Sequence, residues 1–132
     1  MAAHRFTHRM ANRRFLIVDD DASITGMLSL FLRSLGHSAH SLTDSTKTLS
    51  WLDLNPCDTV ILDLAMPGID GLSLVKMIRE KFSDMPIVIF TGWGYDEKHM
   101  QETLDAGANG YVSKGVPIEE VYAALQRVLA RR

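Results

Sequence analysis

A single cysteine, Cys57, is the only thiol in this sequence. It leaves no internal disulfide and no cysteine-based zinc site, a usage that agrees with a reducing compartment. Long apolar runs are missing too: the longest, MPIVIF from Met85 to Phe90, is about half a dozen residues, whereas a membrane-spanning helix needs roughly 20. A soluble, cytoplasmic protein with no membrane partner is therefore expected. Neither a GxGxxG nor a Walker A motif occurs, so nucleotide binding has no support. Internal repeats, low-complexity tracts and interdomain linkers are absent as well. Excess charge of one sign is also lacking, since the formal net charge is −2; that balance argues neither for nor against nucleic acid.

What is present is the composition of a packed domain. The 132 residues are 46% hydrophobic and 23% charged, which disfavours disorder, collagen-like repeats and coiled coil. The charge is unevenly placed. Met1 to Arg14 hold four arginines and no acid, which leaves 10 basic against 16 acidic residues, or −6, in the remainder. Residues 1–13 read as a basic, disordered leader and residues 14–132 as one domain.

Apolar runs and helical periodicities alternate along that domain. FLIV (Phe15 to Val18) is a short buried strand that runs into three aspartates. Ile24, Met27, Leu28, Phe31 and Leu35 then fall at helical spacing, with Gly36 as the stop. His37 to Leu42 reads as a strand, and Thr43 to Leu54 as a helix opened by Thr43 or Asp44. Thr59 to Leu62 is a third strand, stopping at Asp63. After the Pro67-Gly68 turn, Asp70 caps a helix whose inner face is Leu72, Val75, Ile78 and Phe82. Pro86 to Phe90 is a strand ending at Thr91, Tyr95 to Ala106 a less apolar helix, and Gly110 to Ser113 a strand ending at Lys114. Ile118 to Ala130 closes the series as a helix. Five buried strands alternating with five helices indicate an α/β, doubly wound parallel sheet covered on both faces.

In such sheets ligands bind outside the carboxyl ends of the strands, and there the polar residues gather. Strand one ends in Asp19-Asp20-Asp21, strand three in Asp63, strand four in Thr91 and strand five in Lys114. Several carboxylates brought together repel one another unless a cation relieves them. All-oxygen ligands favour Mg²⁺ over zinc, and a bound Mg²⁺ makes an aspartate usable as a nucleophile toward phosphorus. Thr91 and Lys114 then suit the remaining phosphoryl oxygens. Asp21 is better read as a helix cap than as a third metal ligand.

FLIVDDDAS, VILDLAMPGIDGLSLVKMIR, PIVIFTGWG and AGANGYVSKG together resemble the receiver domain of two-component response regulators, over Arg14 to about Leu129. The resemblance implies a flavodoxin-like receiver fold with strand order 2-1-3-4-5. It implies Asp63 as phosphoacceptor, Asp19 and Asp20 as the acidic pair holding Mg²⁺ (with Mn²⁺ able to substitute), and the backbone carbonyl of Ala65 as a further ligand. Thr91 and Lys114 match the phosphoryl-binding hydroxyl and lysine, and Tyr111 the aromatic switch position. The implied partners are a sensor histidine kinase or phosphotransfer protein and a downstream protein target, with no direct nucleic-acid binding. The implied readout is the surface of helix 4, strand 5 and helix 5, on a monomer or a phosphorylation-dependent dimer. Such a receiver is no enzyme in the ordinary sense, catalysing only its own phosphoryl transfer and dephosphorylation.

Three positions depart from the family's pattern. Gly115 follows Lys114 where a cis proline is common; a cis bond before a non-proline residue costs about 2.5 to 4 kcal/mol, so a trans bond and a less firmly placed Lys114 are expected. Ala65 has no group to orient an attacking water, and Trp93 is bulky enough to shield the site. Together they predict a long-lived phosphoaspartate. Two other readings compete: a receiver-fold interaction module that takes no phosphate, and a haloacid dehalogenase-like phosphatase using Asp19 and Asp21 as nucleophile and acid.

Overall fold

Residues 11–92 and 96–131 are described by the computed structural model. In chain order the elements are β1 (Arg14–Val18), α1 (Ala22–Ser34), β2 (Ser38–Leu42), a 3-10 turn (Ser45–Lys47), α2 (Thr48–Leu54), β3 (Thr59–Leu62), α3 (Gly71–Lys81), β4 (Ile87–Thr91), α4 (Glu97–Ala106), β5 (Gly110–Ser113) and α5 (Ile118–Ala130). All four strand pairings are parallel, and the sheet order is β2-β1-β3-β4-β5. Among the described residues no helix is long and apolar enough to cross a membrane. Most of the leader expected over residues 1–13 lies outside the described residues, as does Trp93.

Strand alternation divides the core into two layers. Phe15, Ile17, Ile61, Val88, Phe90 and Val112 point to one face, where they meet Leu28 and Leu32 of α1 and Val121, Leu125 and Val128 of α5. Leu16, Val18, Val60, Leu62, Ile87 and Ile89 point to the other, against Leu52 of α2 and Leu74, Val75 and Ile78 of α3. Burial on both faces is why the central strands β1, β3 and β4 read as apolar runs, whereas the edge strands β2 and β5 do not.

The helix limits follow from their caps. The Asp21 carboxylate accepts the Ser23 and Ile24 N–H groups at 2.9 and 3.4 Å, opening α1. Gly36, at φ 91°, closes it, with Gly36 N–H on Arg33 O at 3.0 Å and His37 N–H on Leu32 O at 3.1 Å; only glycine takes this left-handed geometry without strain. Asp70 caps α3 by accepting the Ser73 N–H at 2.9 Å.

Several boundaries and faces differ from the sequence reading; among them, β4 is Ile87–Thr91 and α3 buries Leu74 rather than Leu72. The stretch expected to be a helix from Thr43 is a 3-10 turn capped by Asp44, which accepts Thr46 N–H at 3.0 Å, and only then α2. Strand β2 starts at Ser38, because the His37 N–H still belongs to the close of α1. Helix α4 spans Glu97–Ala106, with the Asp96 carboxylate accepting the Lys98 N–H; Tyr95, where the sequence reading opened this helix, lies outside the described residues. Finally, Met27 is 48% exposed, and the inner stripe of α1 is Thr25, Leu28, Ser29 and Leu32. Small hydroxyl residues let α1 lie close to the sheet, and Thr25 satisfies its own buried hydroxyl by donating to Ala22 O at 3.1 Å.

Asp21 thus caps α1. Asp21→Ala is expected to lower unfolding free energy by about 1 kcal/mol in denaturant titration while leaving divalent-cation affinity unchanged; a parallel loss of cation binding would return Asp21 to the ligand set.

Candidate functional site

The order of the sheet reverses between its central strands. From β1 the chain passes outward to β2 and then back across β1 to β3, which opens a crevice at the carboxyl ends of β1 and β3. Asp19 and Asp63 stand on either side of it. Each is held by a ladder bond that continues past its strand: Asp19 N–H donates to Leu42 O and Asp63 N–H to Val18 O, both at 3.1 Å. At the next edge position Lys114 N–H donates to Thr91 O at 2.9 Å. Backbone pairing therefore fixes all three side-chain origins.

The carboxylates are oriented by further backbone donors. Asp21 N–H donates to Asp19 Oδ1 at 3.0 Å, and Leu64 N–H to Asp63 Oδ1 at 2.9 Å. Their Oδ2 atoms face Lys114 Nζ, at 2.7 Å from Asp19 and 3.4 Å from Asp63. Asp20 completes the group, and one carboxylate oxygen from each of Asp19, Asp20 and Asp63 lies within 4.8 Å of the others. Asp19 and Asp63 are only 2% and 6% exposed, whereas Asp20 is open to solvent.

Burial raises the Asp19 carboxyl above its ordinary value, with the charge of Asp63 adding to the rise and the Lys114 bond and Asp21 N–H opposing it. For Lys114 burial works against the charged form, yet the bond to Asp19 and the charges of Asp63 and Asp19 outweigh it and raise the ammonium. One ammonium does not neutralise three carboxylates. An all-oxygen donor set, two-thirds buried and open on the Asp20 side, fits a hard divalent cation that keeps some of its waters. No nitrogen or sulfur donor belongs to the cluster.

The remaining expected residues surround this group. Thr91 is fully buried as the last residue of β4. It lies on the same face as Ile87 and Ile89, and Tyr111 pairs in register with Ile89, so Thr91 and Tyr111 share the layer covered by α3 and α4. Tyr111 is half-buried with its hydroxyl oxygen covered, and burial, followed by the charges of Asp96 and Asp63, raises its phenol. Ala65 is exposed two residues beyond Asp63, with no side-chain polar atom for a water. No cis peptide occurs among the described residues, so Lys114–Gly115 is trans. Gly115 N–H donates to Ser113 Oγ at 3.1 Å, which steadies the turn that carries Lys114.

Two supporting residues escaped the sequence reading. A Cβ on Gly71 would lie 2.2 Å from the Asp63 carbonyl oxygen and 2.5 Å from Leu64 Cα, and the Gly71 N–H already donates to Leu64 O at 2.9 Å. The first residue of α3 thus lies directly against the loop that follows Asp63. Ser45 holds the same loop from the other side: its buried hydroxyl accepts Ile69 N–H at 3.0 Å and donates to Pro67 O at 3.2 Å. A glycine just after the capping Asp70 was the available signal for the first; nothing local marked the second.

Comparison with known proteins agrees with this arrangement. The family model for the response regulator receiver domain matches residues 15–126. The chain belongs to the response regulator receiver family. It is 33% identical over 118 residues to the response regulator MprA of Mycobacterium sp. (strain KMS), covering 89% of this chain and 51% of that protein. It is 34% identical over 119 residues to the virulence transcriptional regulatory protein PhoP of Salmonella typhimurium (strain 14028s), covering 89% and 52%. The chain spans about half the length of these curated relatives. The solved structure of the chemotaxis response regulator CheY4 of Vibrio cholerae superposes with a TM-score of 0.82 at 29% identity, covering 89% of this chain and 99% of that one. As a receiver the chain is a signalling domain, and Asp21, which the phosphatase reading needs as an acid, is occupied as a helix cap.

Two outcomes follow for the receiver's acidic crevice. A carboxyl raised in the folded state binds its proton more tightly there than in the unfolded chain, so stability is lost as pH rises from its ordinary value near 3.8 through the raised one. Asp19→Asn removes that loss while Lys114 keeps Asp63 as its partner. The variant is expected to unfold at higher denaturant concentration than wild type at neutral pH without divalent ions, and to lose the stabilisation that Mg²⁺ gives wild type. For Gly71→Ala, overpacking against the Asp63 carbonyl is expected to cost about 1 to 3 kcal/mol in the same titration.

Proposed function

We propose that this receiver accepts a phosphoryl group on Asp63 from a sensor histidine kinase or phosphotransfer protein, in a Mg²⁺-dependent reaction, and that this modification controls a protein partner. One observation carries the reading: the Asp63 carboxylate sits at the mouth of the crevice, Oδ1 fixed by Leu64 N–H and Oδ2 facing Lys114, within 4.8 Å of the Asp19 and Asp20 oxygens. Oδ2, free of backbone bonds, is the attacking atom. It bonds to phosphorus as the donor's bond to phosphorus breaks, forming an acyl phosphate. Asp19, Asp20, Asp63 and the carbonyl of Ala65 would hold Mg²⁺ (or Mn²⁺ in its place), which would supply positive charge to the phosphoryl oxygens. Lys114 shifts from Asp19 toward a phosphoryl oxygen, and the Thr91 hydroxyl donates to another.

The added group brings about −1.5 to −2 charge to the sheet edge. Thr91 and Tyr111 share one layer, so movement of the first toward phosphate repacks the second. Helix α4 lies over this layer with Thr103 as its only fully buried residue among those described. Few buried contacts make it the element most readily displaced. The modification then biases two pre-existing arrangements of the α4, β5 and α5 surface, which a monomer or a phosphorylation-dependent dimer presents to its target. We take residues 14–132 as the receiver and 1–13 as a separate basic leader, acting in the cytoplasm with no direct contact to nucleic acid or membrane. The domain catalyses only its own phosphoryl transfer and dephosphorylation, and Ala65, offering no group to an attacking water, favours a long-lived acyl phosphate.

Incubation with acetyl phosphate and Mg²⁺, followed by intact mass measurement, tests the assignment. Wild type is expected to gain one phosphoryl group, only with the metal, and Asp63→Asn none. An unmodified wild type would instead favour a receiver that binds partners without phosphate, and an adduct that survives Asp63→Asn would reject Asp63 as acceptor.

A further inference from the structure

At the opposite edge of the sheet, the amino ends of the strands, the charge is reversed. Helices run antiparallel to the strands in this fold, so α3, α4 and α5 all end there, beside the residue that leads into β1. A groove of about 800 Å³, open to solvent, lies between them; among the described residues it is lined by Arg13, Arg79, Asn109 and Arg131, with Ser83 and a single acid, Asp84. Three guanidinium groups therefore face one carboxylate.

These cations are not spent on ion pairs. Among the described residues none of the three arginines has a carboxylate within ion-pair distance. Arg79 uses all five of its N–H donors on neutral oxygens: two on Gly107 O at 3.2 and 2.7 Å, one each on Phe82 O at 3.1 Å, Ser83 O at 2.8 Å and Asn109 Oδ1 at 3.1 Å. It ties the ends of α3 and α4 together and brings a fixed positive charge with no donor to spare. Arg13 differs, because its Nε is buried without a hydrogen-bond partner. Its backbone N–H is anchored on His37 Nδ1 at 3.0 Å, which fixes where that side chain starts. Asn109 Oδ1 is fully used by Arg79 and by Ile87 N–H at 2.9 Å, so its amide NH₂ is turned away from those contacts.

We propose that this groove binds a compact anion carrying two or more phosphoryl groups, held directly by Arg13 and Arg131 and electrostatically by Arg79. Guanidinium groups match phosphoryl oxygens in pairs. Among the described residues no aromatic side chain lines the groove, so none of them stacks on a nucleobase, and the chemistry they recognise is the phosphate itself. The site lies at the far edge from Asp63 and does not depend on phosphorylation of that residue.

Calorimetric titration of the full chain with inorganic triphosphate, in EDTA and moderate salt, tests this. Saturable one-to-one binding is expected, weakened about tenfold or more by Arg13→Gln and by Arg131→Gln, the loss of a charge-assisted bond. Arg14→Gln should bind as wild type, since Arg14 is already paired with Asp58 at 3.1 Å. Thermal melts of each variant confirm folding. Absence of saturable binding, or an equal loss in Arg14→Gln, would overturn the proposal. So would a short DNA duplex that binds more tightly than triphosphate and gains affinity with length, which would make the basic edge a nucleic-acid surface.

Discussion

Lys114 holds two buried carboxylates at the edge of the sheet, and the arrangement of that edge depends on it. Without the ammonium, Asp19 and Asp63 would face each other across the β1/β3 crevice with only backbone N–H groups for compensation. Burying unpaired charge is among the costliest things a fold can do. Here the charge is partly paired, and Asp19 remains raised by its burial. A site left in this condition is poised for added positive charge, and the exposed Asp20 gives that charge a way in.

The support for this edge is mostly backbone. Asp19, Asp63 and Lys114 each continue a ladder one residue beyond its strand, and Leu64, Gly71 and Ser45 clamp the loop that follows β3. Side chains reacting at such a site need fixed origins more than they need many contacts. Around Thr91 and Tyr111 the design is looser, because α4 covers that layer with a single fully buried residue among those described. A rigidly placed Asp63 carboxylate thus stands near a helix with few fully buried residues, the kind of element that opens locally at low cost.

Much of this was readable from residue order. Apolar runs ending at Asp19, Asp63 and Thr91 located the ends of β1, β3 and β4, because these central strands are buried on both faces and carry apolar side chains almost throughout. Cap residues located the helices where capping is local, as at Asp21, Gly36 and Asp70. Legibility failed where a neighbour decided. Met27 fits the apolar periodicity of α1, yet the helix turns Thr25 and Ser29 toward the sheet because close approach requires small side chains. Ser45 is an ordinary turn residue by sequence; only the return of the β3–α3 loop over it makes it a clamp.

Sequence alone determined the α/β alternation, the chemistry delivered to each strand end and the resemblance to receivers, since these rest on local periodicity and on which residue follows which. Tertiary structure decided how those groups meet. Lys114 and Asp19 are 95 positions apart, and their 2.7 Å contact exists only because β5 and β1 lie in one sheet with their carboxyl ends at the same edge. The basic groove at the other edge is likewise invisible in the sequence. Arg13, Arg79 and Arg131 belong to three distant segments, and it is the antiparallel run of helices over strands that brings them to a common place.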